Sequence, residues 1–370
     1  MTGRGAATGP VIPVPLVLLG LGSVGRAFLR QLLDTRQDLA RRSGVRLVPV
    51  ALADSQAFLH AEDGLPDWEV SAAIKAKTAG NSLSTISSSH PLAELDGSLA
   101  PDAILVDLTA SPATTIMLKA ALGAGAGLVL ANKRPLSGLW ADANPFFETA
   151  RLRYEATVGA GLPVISTLHT LLSTGDRVAA IEGCLSGTLG YLCTQLERGA
   201  RYSAAVSAAR DLGYTELDPR EDLSGQDVAR KALILARTAG WPLGMEDLTV
   251  ESLYTEALST LSPRGFLEAM PALDDAFDQR VRVARSDGKV LRYRARVEAA
   301  GGRVELAAVP KDGPLGALNG PANYVAFYTT RYAEYPLIIS GPGAGPEVTA
   351  AGVLGDIIDL ALDNRSILYS

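Results

Sequence analysis

The sequence predicts an α/β chain of two domains, the first built on parallel strands alternating with helices and the second α+β. Three observations carry this. Short apolar runs alternate with helix-spaced segments over the first 150 residues. A glycine-rich turn follows the first of those runs. Beyond residue 280 the pattern changes to the polar–apolar alternation of antiparallel strands with one solvated face. A length of 370 residues suits two domains, and a hydrophobic share of 47% supplies both cores. The balance of 34 basic against 40 acidic residues argues against a nucleic-acid partner. Two cysteines cannot staple such a chain, which points to a reducing cytoplasm. Three scattered histidines and two cysteines make no zinc spacing, and no apolar run is long enough to span a membrane.

The first strand is placed by Leu16-Val17-Leu18-Leu19, a run suited to a central position covered on both faces. The uncharged stretch behind Arg4 also has the composition of a secretory leader, but Pro10, Pro13 and Pro15 break its front and its back half enters glycines. Residues 1–12 read as a loose tail. Gly20-Leu21-Gly22-Ser23-Val24-Gly25 follows, and then a helix from Arg26. G-x-G-x-x-G between strand and helix is the signature of a Rossmann-type nucleotide-binding domain. Gly20 permits the tight turn, Gly22 lets backbone approach a pyrophosphate, Gly25 lets the helix pack on the strand, and the helix start at Ser23 and Val24 faces the anion. Glycines so spaced also serve ordinary turns.

A second strand, Arg46 to Ala53, ends at Asp54. A carboxylate there takes a ribose 2′-hydroxyl and favours NAD over NADP, although Asp54 lies further past the glycines than the usual 20 or so residues. The alternatives are that Asp54 merely ends the strand, or that Arg41, Arg42 or Arg46 accepts a phosphate. Residues 81–90 read as a polar, mobile loop. The strand 103–109 brings Thr109 to its carboxyl end, the edge at which open α/β sheets bind ligands. A helix over 112–124 and a strand over 127–131 follow, and the latter ends in Asn132-Lys133-Arg134-Pro135. Lys133 is either a solvated turn lysine or a group beside a cofactor.

From Tyr154 the spacing predicts a strand, a glycine turn, and a helix starting near Pro163. Glu155, among small and apolar neighbours, needs a cation or backbone donors. Turn carbonyls could complete an oxygen site for a hard cation, or the turn could simply hydrogen-bond the glutamate. A strand over 177–185 and a helix over 188–198 place Cys184 and Cys193 in the core. Segment 213–231 holds five carboxylates between 216 and 227. Ser224-x-x-Asp227 reads as a capping box opening a helix that carries Asp227 and Lys231 on one face. The segment is either a solvated face with an exposed ion pair or a pocket for a small zwitterion. Strands follow over 281–309, 324–330 and 337–340. The turn Gly341-Pro342-Gly343-Ala344-Gly345-Pro346 then leads into a C-terminal helix. The domains are set at 13–150, completed by 341–370, and 151–340.

The chain resembles homoserine dehydrogenase from residue 16 to residue 365. The resemblance rests on Gly-Leu-Gly-Ser-Val-Gly, Asn-Lys-Arg-Pro, Tyr-Glu-Ala-Thr-Val-Gly-Ala-Gly-Leu-Pro, Ser-Gly-Thr-Leu-Gly-Tyr and above all 213–231. It implies NAD(P)-dependent interconversion of L-aspartate 4-semialdehyde and L-homoserine, with a central domain that binds substrate and forms a homodimer. Residue by residue it implies Lys231 as catalytic proton donor and Lys133 as a second lysine near the reacting oxygen and the nicotinamide. Glu216 and Asp227 would bind the substrate's amino end, Gly213 would contribute backbone, and Asp222 would be an acidic neighbour. Thr109 and Gly345 would contact cofactor. Glu155 with the carbonyls of Val158, Ala160 and Leu162 would hold sodium. NADP-preferring members often carry a basic residue just after the second strand; Asp54-Ser55-Gln56 here leans toward NAD or dual use. Neither a C-terminal regulatory domain nor a fused aspartate kinase is expected, so threonine inhibition should be weak. Two competing readings are a semialdehyde dehydrogenase working through a cysteine thioester, and a dinucleotide sensor without chemistry.

Overall fold

The computed structural model describes residues 11–95, 102–215 and 218–368. The chain forms two units: one runs to Gly161 and resumes at Gly345, and the other is Leu162–Ala344. The divide thus falls later than residue 150, because the glycine turn after Glu155 stays with the first unit.

The first unit contains β1 (Ile12–Leu19), α1 (Ser23–Ser43), β2 (Val45–Ala53), β3 (Ala57–His60), α2 (Asp67–Thr78), β4 (His90–Pro91), β5 (Ile104–Asp107), α3 (Thr114–Gly123), β6 (Gly127–Leu130), α4 (Arg134–Ser137), α5 (Trp140–Phe147) and β7 (Leu152–Arg153). The sheet order is β4-β3-β2-β1-β5-β6-β7, parallel from β2 through β7 and antiparallel at β3 and β4. Because β1 lies between β2 and β5, the chain leaves it in both directions, and its carboxyl end is a topological switch point. The strand starts at Ile12, within the stretch expected to be a tail. Pro13 and Pro15 are tolerated because β5 pairs only from Leu16 onward, so no ladder donor is missed on that edge. Leu16 and Leu18 are fully buried, and Ala350, Val353, Ile357 and Leu360 of the C-terminal helix (Pro346–Leu368) join the same core. Gln31 Nε2 on α1 donates to the Glu347 carbonyl at 2.8 Å.

Residues 81–90 are built rather than loose. Leu83 is fully buried in a short 3-10 turn, and Ser88 bonds Glu69. The expected strand at Tyr154 shrinks to β7, and Glu155–Thr157 closes a 3-10 turn instead.

The second unit contains α6 (Val164–Ser173), β8 (Val178–Cys184), α7 (Gly187–Glu197), α8 (Tyr202–Asp211), α9 (Arg220–Leu223), α10 (Gln226–Thr238), β9 (Leu248–Val250), α11 (Glu256–Ser259), α12 (Pro263–Ala269), α13 (Asp274–Ser286), β10 (Lys289–Glu298), β11 (Gly301–Pro310), β12 (Ala322–Thr329) and β13 (Leu337–Pro342). Its sheet runs β13-β12-β8-β10-β11-β9, antiparallel except for the β11–β9 pair. Residues 281–286, expected in a strand, extend α13, because the strand begins only after the left-handed Gly288. Across the strands, Arg294 bridges Glu182 at 2.6 Å and Glu305 at 3.3 Å, and Tyr328 Oη donates to Glu182 at 3.2 Å. Among the described residues no helix is long and apolar enough to cross a membrane.

Candidate active site

In the first unit the carboxyl ends of β1, β5 and β6 carry the predicted cofactor residues. Gly20 has φ +93°, and a β-carbon there would lie 2.8 Å from Thr109 Cγ2 and 2.9 Å from the Leu108 carbonyl carbon. Only glycine fits, and the fit brings Thr109 against the turn. A β-carbon on Gly25 would lie 2.3 Å from the Gly20 carbonyl oxygen, so α1 can pack on the turn only without a side chain. Gly22 caps α1, and a β-carbon there would meet nothing within 4 Å. The three glycines thus divide into a bent one, a packed one and an open one. The first turn of α1, at Ser23 and Val24, contains no acidic residue. An unobstructed helix start of 21 residues suits a pyrophosphate. Gly345, at φ +119°, accepts from Thr349 N at 3.0 Å and opens the C-terminal helix.

Two residues that sequence reasoning left without a role fix this edge. Asp107 is fully buried at the end of β5, and its carboxylate accepts from Thr109 N (2.9 Å), Thr114 Oγ1 (2.7 Å) and Asn132 Nδ2 (2.9 Å). Asn132, also buried, donates to the Ser111 carbonyl at 2.8 Å and accepts from Arg134 N at 3.0 Å. This knot ties β5 to β6 and sets the backbone of Lys133, which caps α4. A buried Asp ending one strand and a buried Asn ending its neighbour were the available signal.

Asp54 does something other than expected. Its Oδ1 accepts from Gln56 N (2.9 Å) and Ala57 N (3.0 Å), and its Oδ2 from Lys77 Nζ (2.8 Å) and Leu83 N (2.9 Å). An ionised carboxylate offers about four lone-pair sites. The protein's own donors occupy these sites, with Ser82 Oγ a further donor 3.4 Å from Oδ1, so a ribose hydroxyl would have to displace one of them. Burial pushes this carboxyl up, but the Lys77 ammonium and the three backbone donors outweigh it and bring the pKa down to about 2.

Glu155 is buried, and its N–H donates to Asp356 Oδ2 at 2.8 Å. Burial, then the Glu155 charge, push the Asp356 carboxyl well above its ordinary range. Gly159 and Ala160 both take left-handed backbone, and the Ala160 carbonyl lies against Gly352 of the C-terminal helix. Val158 is buried beside them. Leu162 begins the second unit, where its carbonyl accepts from Val164 N at 2.8 Å. The donors that the resemblance names are all oxygens, the ligand type a hard cation takes. Among the described residues no group of three or more His, Cys, Asp and Glu side chains forms a metal cluster.

In the second unit Lys231 is clamped. Its ammonium lies 2.8 Å from Asp227 Oδ2 and donates to the Leu185 carbonyl at 2.7 Å. The i, i+4 spacing on α10 was legible; the Leu185 contact, from the end of β8, was not. The expected capping box is absent. Ser224 ends α9, and Gly225, left-handed at φ +75°, precedes α10. A β-carbon on Gly225 would lie 1.9 Å from Tyr293 Oη, so the helix starts at a glycine for reasons of space. Gly213 ends α8: its N–H donates to Arg210 O and that of Tyr214 to Ala209 O, a Schellman stop. Thr188 Oγ1 links the Tyr214 carbonyl (2.6 Å) to Asp222 Oδ1 (3.3 Å). Asp218 is consumed by Arg220, which also donates to the Ser259 and Leu261 carbonyls. Glu216 lies outside the described residues.

Comparisons with known proteins decide the family. Residues 163–358 match the family described as homoserine dehydrogenase, and residues 20–152 its NAD binding domain. The chain belongs to the homoserine dehydrogenase family. It is 38% identical to a homoserine dehydrogenase of Paracoccidioides brasiliensis, over 93% of this chain and 96% of that one. It is 39% identical to a chloroplastic bifunctional aspartokinase/homoserine dehydrogenase of Zea mays, over 93% of this chain, and spans 38% of that relative's length. A hyperthermophilic archaeal homoserine dehydrogenase solved in complex with NADPH superposes with a TM-score of 0.71 at 25% identity, covering 95% of this chain and 98% of that one.

The family's α/β architecture, its NAD(P)-binding first domain and its oxidoreductase class agree with the sequence expectations. Neither cysteine fits a thioester enzyme. Cys184 and Cys193 are buried; burial, then the nearby Cys193, push the Cys184 thiol far up, and burial pushes Cys193 up to about 11.

Proposed function

We propose that this chain interconverts L-aspartate 4-semialdehyde and L-homoserine with NAD(P). The observation that carries the proposal is the held ammonium of Lys231, within the segment matched to the catalytic family. The dinucleotide supplies or accepts the hydride at the aldehyde carbon. Lys231 stabilises the developing alkoxide and delivers its proton, and its clamp means that little reorganisation is needed when charge develops. Lys133 would serve the reacting oxygen beside the nicotinamide. Asp227 and Glu216 receive the substrate ammonium, with Gly213 backbone and Asp222 beside them, and so fix which end of the substrate meets the cofactor. Gly20, Gly22, Ser23, Val24 and Gly25 cradle the pyrophosphate, with Thr109 and Gly345 beside the cofactor.

Either dinucleotide serves, since the saturated Asp54 neither takes a ribose hydroxyl nor presents an unpaired charge to a 2′-phosphate. A sodium ion on Glu155 and the carbonyls of Val158, Ala160 and Leu162 braces the glycine turn; the adjacent Asp356 supports a cation there. The enzyme works in the cytoplasm as a homodimer formed by the second domain.

The test is absorbance of reduced nicotinamide with homoserine, using each cofactor in turn. Homoserine-dependent reduction of NAD or NADP is expected; cofactor binding without turnover would instead leave a sensor.

A further inference from the structure

We propose that Lys77 is the residue that recognises the 2′-phosphate of NADP(H), and that Asp54 is its positioning partner rather than a ribose acceptor. The inference rests on the dinucleotide-binding reading of the first unit. The position at issue is the end of β2, where dinucleotide folds of this kind meet the adenosine ribose.

Two features of that corner point to Lys77. Asp54 has only 5% of its side chain exposed, and its lone pairs are spent on Gln56, Ala57, Leu83 and Lys77. The Lys77 side chain is 21% exposed, and one of its three ammonium protons goes to Asp54. Among the described residues the ammonium has no other partner, which leaves two protons to donate outward. The pair therefore presents a donor, not an acceptor, at the ribose corner. Ser55 and Gln56, both exposed, add neutral polar groups beside it.

The arginines considered from sequence sit at the wrong edge. Arg46 pairs with Pro13 at the start of β2, and Arg41 and Arg42 lie in the last turn of α1 that leads into it. A strand rises about 3.3 Å per residue, so these groups lie roughly 25 Å from the end of β2. Lys77 is 23 positions from Asp54 and comes from α2, outside the strand–helix–strand segment in which a specificity residue is normally sought.

Fluorescence titration of purified full-length protein with NADPH and NADH gives the two dissociation constants without depending on turnover. Lys77→Met should weaken NADPH by roughly tenfold to a hundredfold, the range for a hydrogen bond to a charged group, while NADH moves less than twofold. Lys77→Arg should keep most of the NADPH affinity. The same contrast should appear with adenosine 2′,5′-bisphosphate against adenosine 5′-monophosphate. Asp54→Asn, checked for folding by circular dichroism, should leave NADH binding within about twofold. Equal loss of both dinucleotides in Lys77→Met, or undiminished NADPH binding, would overturn the proposal. A large loss of NADH binding in folded Asp54→Asn would overturn it too. Absence of homoserine turnover with this discrimination intact would remove the proposed reaction and leave the present assignment standing.

Discussion

Two aspartate–lysine pairs with the same separation, 2.8 Å, are built in opposite senses. In the first unit the aspartate is the enclosed partner: Asp54 is 5% exposed and Lys77 21%. In the second unit the lysine is enclosed: Lys231 is 13% exposed and Asp227 40%. Each buried partner is finished by backbone, Asp54 by three N–H groups and Lys231 by the Leu185 carbonyl. Each more open partner is the one proposed here to meet a ligand. One corner thus offers a cation, suited to a phosphate, and the other a carboxylate, suited to a substrate ammonium. Chemical type and distance alone would not distinguish them; the backbone around each pair does.

The largest effect should come from the second pair. Lys231→Ala removes the proposed proton donor and should lower kcat by about 10²- to 10⁴-fold, the usual contribution of general acid catalysis. Circular dichroism should show an intact fold, since the half-buried ammonium meets only Asp227 and the Leu185 carbonyl and the apolar core of α10 is left in place. Near-normal turnover would refute the assignment. Asp227→Asn should act next, raising KM for homoserine by roughly tenfold to a hundredfold, because a charge-assisted contact to the substrate's ammonium is lost. A kcat loss with unchanged KM would instead mean that Asp227 serves only to hold Lys231.

What could be read in advance was whatever lies close together along the chain. The Gly20–Gly25 turn is dictated by positive φ and by space, so its spacing survives into the structure intact. Asp227 and Lys231 are joined by helical periodicity. What could not be read depends on partners distant in sequence. Asp54 meets Leu83 from 29 positions away, and Asp107 meets Asn132 from 25. A carboxylate at a strand end therefore looked like a ribose ligand until its donors were in place. The capping box failed for a reason of the same kind: the space left by the distant Tyr293, on β10, forces Gly225 to start the helix.

The first pair is sharpened by acid. The folded Asp54 carboxyl titrates near 2, below its ordinary 3.8. A depressed pKa contributes stability that is complete above the unfolded value and is lost as pH falls through the folded one. After allowance for partial solvent screening the contribution is on the order of 1 kcal/mol. Urea unfolding of Asp54→Asn should therefore show a deficit that is constant above about pH 5 and narrows between about pH 4 and pH 2. A deficit that does not change with pH would place the effect in the turn's geometry rather than in the charge of the pair.

The smallest expected effect is no effect at all, and it tests whether the chemistry belongs to lysines. Cys184 and Cys193 are buried in the second unit, Cys184 in a core with Val290, Val309, Tyr324 and Ala326. The thiolate is the reactive form, and burial disfavours it in both residues, pushing Cys193 up to about 11 and Cys184 further, so both thiols stay protonated at neutral pH. Brief treatment of the native enzyme with iodoacetamide should leave homoserine oxidation unchanged, with mass spectrometry showing both thiols unmodified. Rapid inactivation accompanied by alkylation of either cysteine, and prevented by substrate, would move the reaction from an ammonium-assisted hydride transfer to a thioester mechanism.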